Sequence, residues 1–335
     1  MKRAFITGAT GYIGRSLVRK LAARGVSITA MVRPGATHPL DDVQPFVGDL
    51  FSPIDQLAEA MRSCDVLLHL AAAVSFAPSA REELERVNGE GTRRILDAAN
   101  SAGVGRVVVV SSACTIGLSA SASRPLDEST PFNEALAERN PYLASKHLAE
   151  QHAMDAADHS RHVVIVNPTT VFGPGDRTLN SGTMFQQISR ARVMPVPPGG
   201  TNVVDVSDVC DGIVAAAEHG QTGRRYILGG HNASFAELFR EIARQIGRSP
   251  LFVPIGNYAR LPMRGMAWAI QHATGSRIIT PQIVDDTFAY KFYSNHRASV
   301  DLHWSPKSSL SDTLSAAWQY YKREGLIEPP LGEAA

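Results

Sequence analysis

The first half of the chain alternates short apolar runs with longer stretches in which apolar residues recur at helical spacing. The short runs are rich in β-branched residues, and several are apolar throughout, which is typical of parallel strands covered by helices on both faces. Strands are predicted at 3–7, 27–32, 44–47, 65–70, 106–112 and 162–167. The alternation predicts an α/β fold made of right-handed βαβ units, a Rossmann-type doubly wound parallel sheet.

Capping and turn residues indicate where the intervening helices begin and end. The first helix is predicted to start at Tyr12 and to stop at Gly25, a residue suited to the left-handed C-terminal position. Two further helices are predicted after Ser52-Pro53 and Asn140-Pro141, where an N-cap side chain precedes a proline in the first turn.

The regular alternation loosens after residue 175. Prolines and glycines cluster between residues 195 and 200, and helical patterns follow beyond 234 and 257, with no repeat or low-complexity linker. We predict a Rossmann domain over 1–175. A smaller substrate-binding α/β portion would cover 176–335, with some elements returning to the Rossmann core and a ligand cleft between the two parts.

Composition favours a small-molecule ligand. The 335 residues have a formal net charge of +1 with scattered basic residues, so we expect neither nucleic acid nor a membrane as partner. No apolar stretch reaches the roughly 20 residues that span a bilayer, and no signal peptide precedes the first strand. The spacings of the three cysteines and of the histidines indicate no disulfide and no metal site. A soluble, cytoplasmic protein with reduced thiols is expected.

A three-glycine loop directly follows the first predicted strand. Gly8 would permit a tight turn, Gly11 would let the backbone approach a pyrophosphate, and Gly14 would let helix and strand pack closely. The phosphates would bind free N–H groups at the positive end of the helix dipole. A tight turn alone would also explain the glycines. Because the loop opens the first βαβ unit, we predict that it is a dinucleotide-binding site. Its residues would be Gly8, Thr10, Gly11, Tyr12, Ile13 and Gly14.

The end of the second predicted strand selects the nucleotide. An acidic residue there would bind the ribose 2′-hydroxyl of NAD, whereas this chain has Arg33. A guanidinium forms charge-assisted hydrogen bonds with a 2′-phosphate. We therefore expect NADP(H), with NAD(H) as the alternative if Arg33 is simply an exposed loop arginine. Asp49 and Leu50 would bind the adenine, unless Asp49 serves the N-terminus of the following helix.

Tyr142 and Lys146 lie one helical turn apart, which places both on one face of the helix that follows Asn140-Pro141. Carbonyl reduction needs a proton donor near neutrality, and free tyrosine has a pKa of about 10. One ammonium 4 Å away supplies about 4 kcal/mol at an effective dielectric of 20, enough for a phenol to act near neutrality in a dry site. Such pairs are also common on helix surfaces without any catalytic role.

A third group changes this interpretation. The strand that includes Val107 and Val110 is predicted to end in Ser111-Ser112, at the carboxyl edge of the sheet where ligands bind in open α/β folds. A serine hydroxyl there could donate to a substrate oxygen as negative charge develops on it. Two serines after a strand could also form only a turn.

Six motifs occur in the order found in the extended short-chain dehydrogenase/reductase family. They are TGATGYIG at 7–14, HLAAA at 69–73, NGEGT at 88–92, VSSA at 110–113, YxxxK at 142–146 and NPTTVFGP at 167–174. The chain most resembles the dihydroflavonol-4-reductase-like branch, which shades into 3β-hydroxysteroid dehydrogenases and nucleotide-sugar epimerases. Similarities at 202–208, 226–230 and 298–306 extend the resemblance over nearly the whole chain.

The resemblance implies catalytic roles for the matching residues. Tyr142 would be the proton donor, Lys146 would lower its pKa and hold the ribose, and Ser112 would polarise the carbonyl. Ser112 is preferred to Ser111 because family members place this hydroxyl five residues before the residue that matches Gly117.

The resemblance also implies positioning, cofactor and dimer contacts. Asn88 would hold the backbone of the site together, and a homodimer would form through helices at about 82–102 and 142–158. The sequence departs from many sugar-nucleotide members at 115–117, where Thr-Ile-Gly replaces Val-Tyr-Gly, and this weakens a sugar-nucleotide assignment. Further cofactor contacts are expected from Ala71, Ala72, Ala73, Pro168, Thr169 and Val171.

The expected activity is NADPH-dependent reduction of a ketone or aldehyde, reversible as an alcohol dehydrogenase, on an apolar or aromatic small molecule. An NAD-dependent nucleotide-sugar epimerase or dehydratase would share the same catalytic residues, although Arg33 argues against it. A module that senses NADP(H) without chemistry would usually lack part of the catalytic set, which is complete here. The residues predicted to bind substrate are Ser75, Phe76, Cys114, Thr170, Phe172 and Met184.

Overall fold

A computed structural model describes residues 1–35, 40, 43–75, 77–157, 162–274 and 280–327. The described strands are β1 Arg3–Thr7, β2 Ser27–Val32, β3 Gln44–Val47, β4 Val66–His69, β5 Arg106–Val110, β6 His162–Pro168, β7 Thr170–Phe172, β8 Val193–Val196, β9 Gly200–Asp205, β10 Arg224–Leu228, β11 His231–Ser234, β12 Leu251–Pro254 and β13 Tyr290–Lys291. The described α-helices are α1 Tyr12–Ala23, α2 Ile54–Met61, α3 Arg81–Leu84, α4 Gly91–Ser101, α5 Glu134–Arg139, α6 Pro141–Asp155, α7 Thr183–Arg190, α8 Val206–His219, α9 Phe235–Gln245, α10 Arg260–Thr274, α11 Pro281–Thr287, α12 His296–Leu302 and α13 Leu310–Arg323.

Within the described residues, seven strands form one parallel sheet in the order β3-β2-β1-β4-β5-β6-β10. The order reverses on either side of β1, so a crevice opens at the carboxyl ends of β1 and β4. The predicted Rossmann-type α/β fold is confirmed. The six predicted strands are present with shifts of at most two residues at their ends, and β10 is a seventh strand that was not predicted.

The apolar runs are explained by the two buried faces of this sheet. Ala4 and Ile6 belong to the core on one face, whereas Phe5, between them, belongs to the core on the other. The same division separates Val108 from Val107. Because successive side chains of a strand point to opposite faces, both faces must be apolar when helices cover both.

Two of the predicted helix boundaries are confirmed. Gly25 follows α1 with a φ of +72°, and its N–H donates to the Ala22 carbonyl, so a left-handed residue closes the helix. Asn140 is the N-cap of α6, and its side chain accepts a hydrogen bond of 3.0 Å from the Leu143 N–H. This cap fixes where the first turn of α6 begins, immediately before Tyr142.

The predicted capping role of Ser52 is wrong. The cap of α2 is Pro53, with no side-chain hydrogen bond to the helix, and α2 begins at Ile54. The Ser52 side chain instead points toward the preceding loop, and its Oγ accepts a hydrogen bond from the Asp49 N–H at 3.0 Å. The serine therefore shapes the loop that leaves β3 rather than the helix.

The later half of the chain builds a second layer of structure beside the carboxyl edge of the main sheet. Strand β9 pairs with β11, β13 and β7, and β8 pairs with β12. A separate core cluster, which includes Phe185, Leu238 and Trp318, supports this layer. Because β7 and β10 connect the two layers, elements from both sides of residue 175 are interleaved, and the division at that residue stays a prediction.

Candidate active site

The loop between β1 and α1 requires glycine at Gly8 and Gly14. Gly8 has a φ of +69°, and a Cβ on it would lie 2.6 Å from the Ala71 nitrogen. A Cβ on Gly14 would lie 2.1 Å from the Gly8 carbonyl oxygen. The loop therefore packs against the chain that leaves β4, and it brings the N-terminus of α1 to the edge of the sheet. This cradle fits the pyrophosphate of a dinucleotide.

A first cleft of about 410 Å³ lies beside this loop. Arg33 is exposed at its rim, as an arginine that binds a 2′-phosphate would need to be. Arg86 and Phe51 also line the cleft, and the Arg86 guanidinium lies 4.3 Å from the centre of the Phe51 ring. No sequence motif marks this pair. The residues predicted to bind cofactor that line this cleft are Gly8, Thr10, Gly11, Arg33, Asp49, Leu50, Ala71, Ala72 and Ala73.

Five residues predicted to bind cofactor lie outside the lining of the two described clefts: Lys146, whose contacts are given below, and four residues of the glycine loop and β7. The Tyr12 hydroxyl donates to the Gly173 carbonyl at 3.1 Å, and Gly14 packs against Gly8. Ile13 and Val171 pack against the core on one face of the sheet. Their side chains therefore position the loop and β7, and a direct contact with the dinucleotide would come from backbone.

A second cleft of about 350 Å³ lies at the carboxyl ends of β5 and β6. The predicted residues that line it are Ser112, Cys114, Tyr142, Pro168, Thr169, Thr170 and Met184. The other described residues that line it are Ala113, Leu118, Leu136, Asn140, Leu143, Asn180, Thr201, Phe235, Asp286, Lys291 and Tyr293. Most of the second group come from the later part of the chain, where the sequence carries no motif that marks them.

Two residues predicted to bind substrate do not line this cleft. Phe172 is fully buried in the core of the second layer. Ser75 lies outside the lining of both described clefts, and its Oγ accepts from the Ala77 N–H. Phe76 lies outside the described residues. Alternation along β7 directs Val171 to the core of the main sheet and Phe172 to the core of the second layer, and the sequence does not reveal that both faces of β7 are covered.

The predicted catalytic residues lie together around the start of α6. The Tyr142 hydroxyl is hydrogen-bonded to the side chain of Ser112, and both line the second cleft. Lys146 follows one turn later, is buried, and donates from Nζ to the Val110 carbonyl at 3.0 Å. The carbonyl at the end of β5 therefore holds the ammonium behind the tyrosine.

Burial dominates the electrostatics of this group. It raises the pKa of the Tyr142 phenol above its usual value, with the hydrogen bond from Ser112 opposing the change. It also lowers the pKa of Lys146 to about 8. The expected lowering of the Tyr142 pKa by Lys146 is therefore not found in this structure, where loss of solvation is the largest influence on the phenol.

The two neighbouring serines have different environments. Ser112 is the N-cap of a short turn at Ala113–Thr115, and its Oγ accepts from the Cys114 N–H at 3.3 Å. Ser111 is buried, and among the described residues its Oγ has no hydrogen-bond partner. Of the two hydroxyls, that of Ser112 faces the second cleft.

Asn88 connects the segment after β4 to α6. It is buried in a π-helical turn at Glu85–Glu90, where its Nδ2 donates to the Ala73 carbonyl at 3.0 Å and to the Ser145 Oγ at 2.9 Å. Its Oδ1 accepts from the Ala73 N–H at 2.8 Å. One side chain thus fixes the segment after β4 relative to α6, which is the arrangement that the family resemblance implied for Asn88.

His69 holds a second set of buried contacts. The Thr92 hydroxyl donates to the Asn88 carbonyl, so its oxygen accepts from His69 Nε2 at 2.9 Å. The Nδ1 atom then accepts from the Thr7 hydroxyl at 2.7 Å, and Thr7 Oγ1 accepts from the Ala71 N–H. These contacts assign a neutral ring with hydrogen on Nε2. Burial, together with the charge of Lys146, lowers the His69 pKa to about 3.

A buried carboxylate supports the site from behind. Glu150 lies two turns beyond Tyr142 on α6, and its Oε1 accepts from Thr115 Oγ1 at 2.7 Å and from Asn167 Nδ2 at 2.6 Å. Its Oε2 pairs with Arg225 at 3.3 Å. These contacts tie α6 to the ends of β5, β6 and β10. No sequence motif marked Glu150.

Within the described residues, no group of three or more His, Cys, Asp or Glu side chains is arranged to hold a metal ion. Among the same residues, no helix is both long and apolar enough to cross a membrane.

The comparisons with known proteins agree with this geometry. A model of the NAD dependent epimerase/dehydratase family matches residues 4–229. The chain belongs to this family. It is therefore an enzyme of the extended short-chain dehydrogenase/reductase class, an oxidoreductase whose cofactor is a pyridine nucleotide.

Reductases are among its relatives. A protein of Synechocystis sp. named as a candidate dihydroflavonol 4-reductase is 31% identical over 97% of this chain and 96% of that protein. The 4-hydroxy-2-methyl-3-oxo-4-farnesyl-3,4-dihydroquinoline-1-oxide ketoreductase of Stigmatella aurantiaca is 36% identical over 68% of this chain and 67% of that protein. The crystal structure of gox2253 has a TM-score of 0.84 and 29% identity, and the match covers 98% of this chain and all of that one.

Proposed function

We propose that the protein is an NADPH-dependent reductase that converts a ketone or aldehyde of an apolar or aromatic small molecule into an alcohol. The observation that carries the proposal is the second cleft, which Ser112 and Tyr142 line together and behind which Lys146 is buried. The similarity to proteins named as a dihydroflavonol 4-reductase and a dihydroquinoline-1-oxide ketoreductase supports the same choice.

The chain's own residues would bind the substrate oxygen and deliver a proton to it. When bound, the dihydronicotinamide supplies the hydride for the carbonyl carbon. The Ser112 hydroxyl would stabilise negative charge on the oxygen, and Tyr142 would transfer its phenolic proton to it. A raised pKa keeps Tyr142 protonated at neutral pH, and an alkoxide is a strong enough base to take the proton. The Lys146 ammonium would stabilise the resulting phenolate.

The walls of the second cleft favour this reaction over the conversion of a nucleotide sugar. A diphosphate group requires several cationic or N–H donors to replace its hydration. Among the described residues that line the cleft, Lys291 is the one cation, and its Nζ lies 2.8 Å from Asp286. The lining is otherwise largely apolar, with contributions from Phe235, Leu143 and Met184.

The test is to supply the purified protein with NADPH or NADH and to follow cofactor oxidation with aryl ketones, aryl aldehydes, steroid ketones and UDP-glucose. We expect NADPH oxidation with an aryl or steroid carbonyl. Tyr142→Phe should lower kcat by about 10²–10⁴-fold, the usual contribution of a general acid, while NADPH still binds. The matched control is Tyr258→Phe, because Tyr258 is 85% exposed and lies outside both clefts.

Turnover by Tyr142→Phe at close to the rate of the unaltered protein would show that Tyr142 has only a packing role. Conversion of UDP-glucose without net NADPH oxidation would favour epimerase chemistry instead.

A further inference from the structure

Lys291 is a polar residue of the second cleft that no part of the proposed reaction uses. It lies on β13, which pairs with β9 beside Thr201, and its side chain forms part of the cleft wall. The positive charge of Lys291 acts on the Cys114 thiol, which is itself hydrogen-bonded to Ser112. The ammonium therefore faces the same space as the proposed catalytic hydroxyls.

The Lys291 ammonium has N–H donors that are not used by the described residues. Its Nζ donates to Asp286 Oδ2 at 2.8 Å, and the described residues take up this one of its three N–H donors. The other Asp286 oxygen accepts from Gln282 Nε2 at 2.7 Å, so Asp286 holds a fixed position on α11. About a third of the Lys291 side chain is exposed. Two N–H groups are therefore available to an acceptor in the cleft.

The charge balance limits what this acceptor can be. Lys291 and Asp286 form a neutral pair in a largely apolar wall. A neutral oxygen, such as a hydroxyl or carbonyl, could accept from Lys291 and leave the group neutral. A carboxylate or phosphate would add a second negative charge beside Asp286, which is costly where solvent is scarce.

We propose that Lys291 is a specificity-determining residue that donates a hydrogen bond to a neutral oxygen on the substrate, remote from the carbonyl that is reduced. The substrate class is then an apolar or aromatic carbonyl compound that carries a second, uncharged hydroxyl or carbonyl group. This inference rests on the proposed reductase function, and it assigns Asp286 the role of rejecting anionic substrates.

The experiment compares three ketones of similar size: methyl-, hydroxymethyl- and carboxy-substituted acetophenone, each as the meta and para isomer, with NADPH. The unaltered protein should prefer the hydroxymethyl compound to the methyl compound and should use the carboxylate least. In Lys291→Met, KM for the hydroxymethyl compound should rise about tenfold to hundredfold, the usual effect of losing a hydrogen bond to a charged group. KM for the methyl compound and kcat should change little.

A second variant tests the charge argument separately. Asp286→Asn keeps a side chain of the same shape but removes the charge that compensates Lys291, so the carboxylate should become the preferred compound. Lys307→Met is the matched control, because Lys307 is a largely exposed lysine outside both clefts, and it should leave all preferences unchanged.

The inference is overturned if the hydroxymethyl preference is the same in Lys291→Met as in the unaltered protein, or if the unaltered protein prefers the carboxylate. If no ketone is reduced, the proposed function fails. The inference is then decided by calorimetric binding of the three compounds to the protein saturated with NADP⁺. A preference for the hydroxymethyl compound that Lys291→Met abolishes would still support it, and its absence would reject it.

Discussion

Arg33 stands where β2 ends, exposed at the rim of the cleft that Gly8 and Asp49 also line. We predict that Arg33→Asp weakens NADPH binding about tenfold to hundredfold and leaves NADH binding equal or stronger, because it removes charge-assisted hydrogen bonds to the 2′-phosphate. Dissociation constants for both cofactors, measured by titration, test this. Arg240→Asp makes the same charge change on the exposed surface of α9 and should have no effect. Equal affinities for the two cofactors in the unaltered protein would contradict the argument.

The catalytic group shows what residue spacing predicts and what it does not. Tyr142 and Lys146 were expected on one helix face, and the residue chosen between the two serines was Ser112; the structure brings these side chains together. The direction of the Tyr142 pKa was predicted wrongly, because burial raises it and residue spacing does not predict burial. The cleft that Tyr142 lines is completed by residues distant in sequence, such as Tyr293 and Phe235, which carry no motif.

At the scale of elements, helix glycines offer a matched pair of substitutions. A Cβ on Gly14 in α1 would meet the Gly8 carbonyl at 2.1 Å, whereas a Cβ on Gly265 in α10 would have no atom within 4 Å. Gly14→Ala should therefore force α1 away from the loop, lower the free energy of unfolding by about 1–3 kcal/mol and weaken NADPH binding. Gly265→Ala should raise the free energy of unfolding by up to about 1 kcal/mol, since alanine favours helix.

Urea denaturation and NADPH titration of both variants measure these effects. Gly14→Ala with the stability and affinity of the unaltered protein would show that α1 can move without cost, and the close-packing role of Gly14 would be rejected.

Elements whose signals are local were predicted well, and those defined by distant pairing were not. The cap at Asn140 and the turn at Gly25 depend on a few adjacent residues, so their positions could be predicted. Strand β10 joins the main sheet only because it pairs with β6, about 60 residues earlier. Ser52 bonds backward to Asp49 instead of capping α2, a choice between two equally local options that the sequence does not resolve.

At the scale of the whole molecule, the site is held by buried polar links between layers. Asn88 ties the segment after β4 to α6, and Glu150 ties α6 to β6 and β10 through Asn167 and Arg225. Buried groups of this kind rigidify a site only when their partners remain in place, so the geometry of both clefts depends on the folding of the entire sheet. A homodimer through helices at about 82–102 and 142–158 stays a prediction.

The buried ring of His69 should make the free energy of unfolding depend on pH in the acid range. It joins β1, β4 and α4 through Thr7 and Thr92, and its pKa is about 3 in the folded protein against the usual value near 6.5. Below pH 6.5 the unfolded chain therefore binds a proton that the folded protein does not. The contribution of His69 to the free energy of unfolding is fully present above pH 6.5 and is lost as the pH drops toward 3.

Between pH 7 and pH 5 this single group should lower the free energy of unfolding by about 2 kcal/mol. His69→Gln removes the titrating ring. At pH 7 the variant should be less stable than the unaltered protein, because it loses buried hydrogen bonds. Between pH 7 and pH 5, however, its free energy of unfolding should fall by about 2 kcal/mol less than that of the unaltered protein. Urea denaturation at both pH values measures the difference. His296→Gln alters an exposed histidine and should preserve the full pH dependence. If His69→Gln showed the same loss between pH 7 and pH 5 as the unaltered protein, the acid sensitivity would arise elsewhere, and the neutral, fully bonded ring assigned to His69 would be wrong.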